Sequence, residues 1–189
     1  MDEARLRFIL ARGMLRTVLA RYAETPPQAL NFTYGTRGKP ALLNHPLQFN
    51  LAHSGDLLLL ALTSGHELGV DVEQIRPLPH LATMAQDNFS PVEVKALYLL
   101  PEDQREIAFL KIWTRKEAFI KATGDGFKRP LASFDVSIDE PAQLLRAEGE
   151  DIQQWTLYHL ALETGYVGAL CINNGSLRIM SQQFRKLSS

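Results

Sequence analysis

The sequence has a single cysteine, so no intrachain disulfide can form, and Cys171 lies inside the apolar run Val167-Gly168-Ala169-Leu170-Cys171-Ile172, which reads as a buried strand. That usage suits a reducing compartment, and a cytoplasmic location is expected. No apolar run is long enough to cross a bilayer, and Arg5, Arg7, Arg12 and Arg16 interrupt the N-terminal apolar residues and break the continuous core of a signal peptide. Neither export nor membrane insertion is expected. The chain also lacks an excess of either charge: 20 Lys and Arg against 21 Asp and Glu give a formal net charge of −1, which argues against general nucleic-acid binding. What remains is 189 residues, 46% hydrophobic and 22% charged, enough for one substantial core or two small fused ones.

The near-neutral sum conceals a local excess. Six cations (Lys111, Arg115, Lys116, Lys121, Lys128 and Arg129) stand between positions 111 and 129 against only Glu117 and Asp125. Such a stretch is either a solvated helix face or a surface for an anionic ligand or partner.

Periodicity divides the chain into an α+β pattern. Residues from about Glu3 to Tyr22 predict a helix, with Leu6, Leu10, Met14 and Val18 at four-residue steps and Pro26-Pro27 beyond its end. Arg5, Arg12 and Arg16 fall on one polar stripe, whereas Arg7 falls among Leu10, Met14 and Val18 on the side expected to be buried. Strands are predicted at Phe32 to Gly35, Phe49 to Ala52, Leu57 to Thr63 and Leu68 to Glu73, forming a small antiparallel sheet. A mixed helical stretch follows to about Leu100, with Ser90-Pro91-Val92-Glu93 as a helix start. A long helix runs from Asp103 to about Thr123 and is capped by Gly124. Further strands are expected near Phe134 to Ile138, Trp155 to Leu162 and Tyr166 to Ile172. Turns at Gly65 and Gly165, each between paired strands with a helix upstream, suggest two similar halves of about 1–102 and 103–189, although no literal sequence repeat is visible.

Three short segments carry chemistry. In Leu68-Gly69-Val70-Asp71-Val72-Glu73 the period of two puts Asp71 and Glu73 on one face, where two carboxylates either bind a hard divalent ion such as Mg²⁺ or mark a solvated strand end. In Trp113-Thr114-Arg115-Lys116-Glu117-Ala118-Phe119-Ile120-Lys121, residues Trp113, Glu117 and Lys121 are four apart and share a helix face. Glu117 there is a metal ligand or proton acceptor and Lys121 a phosphate contact, or the two form an ordinary surface pair. In Phe49-Asn50-Leu51-Ala52-His53-Ser54-Gly55 a strand runs into a turn, and His53 either donates to a phosphate or caps that turn.

Taken in order, F-N-x-x-H-S-G, then G-x-D-x-E, then W-x-x-K-E-x-x-x-K followed by G-x-G, resembles the larger, surfactin-synthetase-activating type of 4′-phosphopantetheinyl transferase. The segment Tyr34-Gly35-Thr36-Arg37-Gly38-Lys39-Pro40 and the arginine-rich first helix extend the resemblance over nearly the whole chain. It implies an α+β fold of two pseudo-symmetric helix-plus-antiparallel-sheet halves with coenzyme A between them, and transfer of phosphopantetheine to a serine of an apo acyl or peptidyl carrier protein. It also implies Mg²⁺ on Asp71, Glu73 and Glu117, with Glu117 as base for the serine and Lys121 on the transferred phosphate. His53 is placed on the 3′-phosphate of coenzyme A, and Arg7, Lys39 and Lys116 on its phosphates. Gly124 and Gly126 form the turn after the catalytic helix. A monomer is expected. Two departures stand out: Ala52 occupies a position where many relatives have serine, and the family's first strand, ahead of the arginine helix, is expected to be missing here. A Mg²⁺-dependent nuclease or phosphohydrolase, and a non-catalytic coenzyme A or carrier-binding protein, are the rival readings of the same residues.

Overall fold

The structure, a computed structural model, describes residues 3–173 and 178–182; the side chains of residues 3, 4, 6–8, 10 and 127 also lie outside the described set. Helix α1 (Glu3–Tyr22) leads to strands β1 (Phe32–Tyr34), β2 (Pro40–Leu42), β3 (Leu47–Ser54), β4 (Leu57–Ser64) and β5 (Leu68–Gln74). Helices α2 (Leu81–Asn88), α3 (Pro91–Leu99) and α4 (Glu102–Thr123) come next, and β6 (Phe134–Val136), β7 (Leu144–Ala147), β8 (Trp155–His159) and β9 (Tyr166–Asn173) complete the described order. Every paired strand is antiparallel: β1 with β2, β3 with β4, β6 with β7, and β5-β9-β8 as a three-stranded sheet.

Helix ends follow local chemistry. Ser90 accepts from the Glu93 N–H while the Glu93 carboxylate accepts from the Ser90 N–H, so α3 starts in a capping box with Pro91 behind it. At the other end of α4, Gly124 takes φ +71 and closes the helix in the left-handed conformation that a side chain resists. The main core forms where α4 crosses the three-stranded sheet and the short helices, with Phe109, Ile112, Ala118 and Phe119 packed among Phe89, Leu97, Phe134 and Cys171.

Three expectations are corrected. First, β5 is not the hairpin partner of β4; it pairs with β9, from Leu68 opposite Ile172 to Gln74 opposite Tyr166. Leu68 through Val72 are all buried, so β5 is an interior strand that needs cover on both faces, and the alternation of valines and acids concealed this. Its other side faces β3, where Asn50 Oδ1 accepts from the Val70 N–H at 2.8 Å and Ser54 Oγ from the Gln74 N–H at 3.0 Å. Both links span 20 residues, so β3 runs parallel to β5 with side chains bridging in place of a backbone ladder. Second, α1 packs Leu15, Leu19 and Ala20, with Ala23 just beyond its end, against Leu30, Leu42, Leu47 and Phe49, while Met14, on the face expected to be inside, is 46% exposed. Arg16 sets that rotation: its guanidinium lies 5.1 Å from the centre of the Phe32 ring and donates to the carbonyls of Pro27 and Leu30. Third, β2 and β7 were not anticipated. The first begins on a proline, and the second shows two consecutive exposed residues, Leu145 and Arg146, so neither alternates.

Candidate active site

Gly69 decides how closely α4 approaches β5. A Cβ there would stand 2.1 Å from the Ala118 carbonyl oxygen and 2.3 Å from the Ala122 nitrogen, so only glycine lets the helix backbone rest on the strand. That contact brings the last turns of α4, with Glu117 and Lys121, over Asp71 and Glu73. Lys121 Nζ donates to Asp71 Oδ1 at 2.6 Å and lies 3.3 Å from the Val70 carbonyl oxygen. Asp71 is only 6% exposed, and its second oxygen, Oδ2, is buried without a hydrogen-bond partner. Glu73 Oε2 accepts from Ser54 Oγ at 2.8 Å, which braces the site strand from β3.

The electrostatics follow from this burial. Loss of water pushes the Asp71 carboxyl up to about 7; Lys121 pulls it back, while the charges of Glu117 and Glu73 add to the rise. Burial also raises Glu117, opposed by Lys121 and reinforced by Glu73. Three carboxylates therefore share one neighbourhood with a single lysine among them. Asp71 Oδ2 and the carboxylates of Glu73 and Glu117 are the groups available to a hard cation. As the side chains stand, no three His, Cys, Asp or Glu among the described residues are gathered around a common metal position.

The expected phosphate contacts separate. Lys39 donates to Glu67 Oε2 at 2.7 Å and to the Ala122 carbonyl at 2.9 Å, tying the β1–β2 loop to the end of α4 near the site. His53 is exposed at the end of β3. Arg7 belongs to α1, and its side chain lies outside the described residues. Lys116 is a correction: it is fully buried on another side of α4, paired with Glu93 at 2.8 Å, donating to the carbonyls of Leu131 and Phe134 and lying 4.3 Å from the Phe134 ring centre. With its three donors taken by the protein, it is a core ion pair rather than a phosphate contact.

The cation-rich stretch is corrected with it. Arg115 is buried against Glu140 and the carbonyls of Ser137 and Asp139, and Arg129 pairs with Asp125 and Glu150. Arg115, Lys116 and Arg129 are thus met by carboxylates within the fold and form neither a solvated face nor a ligand surface. Asn50, Ser54 and Gly69 shape the site without having been singled out. All three stood inside the quoted motifs, and the signal that could have found them was a short polar or side-chain-free residue on a strand next to the acids.

Residues 67–171, more than half of the chain, match the sequence profile of the 4′-phosphopantetheinyl transferase superfamily. The chain is 36% identical over 176 residues to the 4′-phosphopantetheinyl transferase HetI of Nostoc sp., covering 90% of this chain and 72% of HetI. With the 4′-phosphopantetheinyl transferase Sfp of Bacillus subtilis it shares 28% identity over 166 residues, 87% of this chain and 73% of Sfp. Among solved structures, the holo-[acyl-carrier-protein] synthase of Thermotoga maritima is similar at a TM-score of 0.45 and 17% identity, over 58% of this chain and 64% of that one. The chain belongs to the 4′-phosphopantetheinyl transferase superfamily. It is a 4′-phosphopantetheinyl transferase enzyme.

Proposed function

We propose that this transferase moves the 4′-phosphopantetheine arm of coenzyme A onto a serine of an apo acyl or peptidyl carrier protein, releasing 3′,5′-ADP, with Mg²⁺ held by Asp71, Glu73 and Glu117. The observation that carries the reading is the Asp71 carboxylate, whose Oδ2 is buried with no donor while Oδ1 is spent on Lys121. An unpartnered buried carboxylate oxygen beside two further carboxylates leaves negative charge that one lysine does not offset, and hard oxygen donors of this kind fit Mg²⁺. Bound there, the ion would supply charge neutralisation at the pyrophosphate oxygens.

The rest of the chemistry falls to side chains of this chain. Glu117 takes the proton of the carrier serine hydroxyl from its place on α4 beside Asp71 and Glu73. As the serine oxygen bonds to the β-phosphorus, the bond from that phosphorus to the bridging pyrophosphate oxygen breaks, and the electron pair leaves with 3′,5′-ADP. Lys121 offsets the charge on the phosphoryl oxygens, and most of the acceleration comes from positioning and electrostatics. Arg7, Lys39 and His53 bind the remaining phosphates, His53 from its exposed place at the strand end.

The same reading treats the chain as a cytoplasmic monomer of two interleaved pseudo-repeats, about 1–102 and 103–189. Gly65 and Gly165, at φ +74 and +97 before β5 and β9, support the repeat, and β5–β9 pairing interleaves the halves. No described helix is long and apolar enough to cross a membrane.

The test is to incubate the protein with Mg²⁺, coenzyme A and several apo carrier proteins and to weigh the carriers. Gain of one phosphopantetheine group supports the reading. Failure with every carrier alongside tight coenzyme A binding points to a binding protein, and cleavage of DNA or a phosphoester points to a hydrolase.

A further inference from the structure

We infer that Lys121 is the resident cation of the carboxylate site, bound to Asp71 until metal and coenzyme together displace it, so that one side chain couples the binding of the two ligands. The inference rests on the proposed metal and pyrophosphate reading and concerns what must happen before that arrangement can form. The Lys121 side chain is 29% exposed and reaches inward to an Asp71 side chain that is 9% exposed, with 2.6 Å between Nζ and Oδ1. It is the cation that lowers the cost of charge on both Asp71 and Glu117.

A divalent ion seated on the Asp71 carboxylate would stand within a few ångströms of that ammonium, and two cations on one carboxylate repel. While Nζ holds Oδ1 the metal finds only Oδ2 open and a cation beside it, so full engagement of Asp71 by the metal requires the lysine to leave. Its four-carbon stem, rooted in the last turn of α4, allows the swing, and in the complex the nearest new anion is the coenzyme pyrophosphate. Coenzyme drawing Lys121 outward frees Asp71 for metal, and metal at Asp71 sends Lys121 towards the phosphate. Linkage requires the two effects to be equal.

The experiment titrates Mn²⁺ into wild type, Lys121→Met and Lys121→Gln, with and without coenzyme A and with no carrier protein present, following free Mn²⁺ by electron paramagnetic resonance. Both variants should bind Mn²⁺ alone about tenfold more tightly than wild type, and the enhancement of Mn²⁺ binding by coenzyme A should shrink by a similar factor, within the usual range of coupling between sites. Lys121→Gln keeps a hydrogen-bond donor towards Asp71, so it reports the loss of charge if the methionine variant folds poorly. If wild type binds Mn²⁺ in the presence of coenzyme A but neither variant binds the ion alone any more tightly, the resident-cation role is wrong and the metal reading stands. A wild type that takes up no Mn²⁺ under either condition overturns both.

Discussion

Asp71 and Lys116 show how differently a buried charge can be used. Asp71 has one oxygen on Lys121 and one on nothing, beside two more carboxylates, so folding leaves it under electrostatic load. Asp71→Asn or Glu117→Gln should therefore lower turnover by at least about 100-fold, the scale of losing one preorganised charge, while the metal-free melting temperature stays level or rises. Turnover assays paired with calorimetry in chelator check this; early melting with near-normal turnover would make the residue structural. Lys116 is the opposite case. Its partner Glu93 is 3% exposed and also accepts from the Ser90 and Val136 N–H groups, so removing the lysine strands a buried anion. Lys116→Met should destabilise the fold by about 3 to 5 kcal/mol, read by denaturant unfolding, with the affinity of the remaining folded protein for coenzyme A unchanged.

The contact between α4 and β5 carries the geometry of the site. A methyl group at position 69 meets helix backbone at 2.1 Å, and backbone cannot step aside as a side-chain tip does. Gly69→Ala should push the two elements apart, costing at least about 1 to 3 kcal/mol of stability and stretching the Lys121–Asp71 pair, so activity falls further than stability alone predicts. Unfolding curves and single-turnover rates on the same preparation separate the two effects. At this scale the sequence was readable where the cause is local: the Ser90 capping box, the Gly124 cap and the shared face of Glu117 and Lys121 follow from neighbours within a few positions. The partner of β5 was not readable, because Gly69 and Cys171, opposite one another in the sheet, are brought together by packing that no local pattern encodes. Lys116 and Lys121 looked alike for the same reason, since spacing gives a helix face but not what lies against it.

Across the whole molecule, burial of Asp71 becomes a dependence of stability on pH. Its pKa rises on folding from 3.8 to about 7, so between those values the folded chain holds a proton that the unfolded chain has released. The contribution is complete below about pH 4 and is lost as the pH rises towards 7; Asp71→Asn, which cannot titrate, should gain on wild type over that interval and run parallel beyond it. Denaturant curves in chelator at several pH values test the difference, and curves parallel throughout would contradict it. The lone thiol offers a view of the same region in time. Cys171 is fully buried opposite Gly69, under α4, and burial holds its thiol above the ordinary range, so it is inert while the sheet is closed. A disulfide reagent can reach it only when the core between α4 and the sheet opens, which makes the labelling rate a clock for opening of the packing that holds α4 on the catalytic strand. Because the chain has one cysteine, the signal needs no engineering, and any ligand that binds only the closed form must slow the clock by the factor 1 + [L]/Kd, with [L] its free concentration.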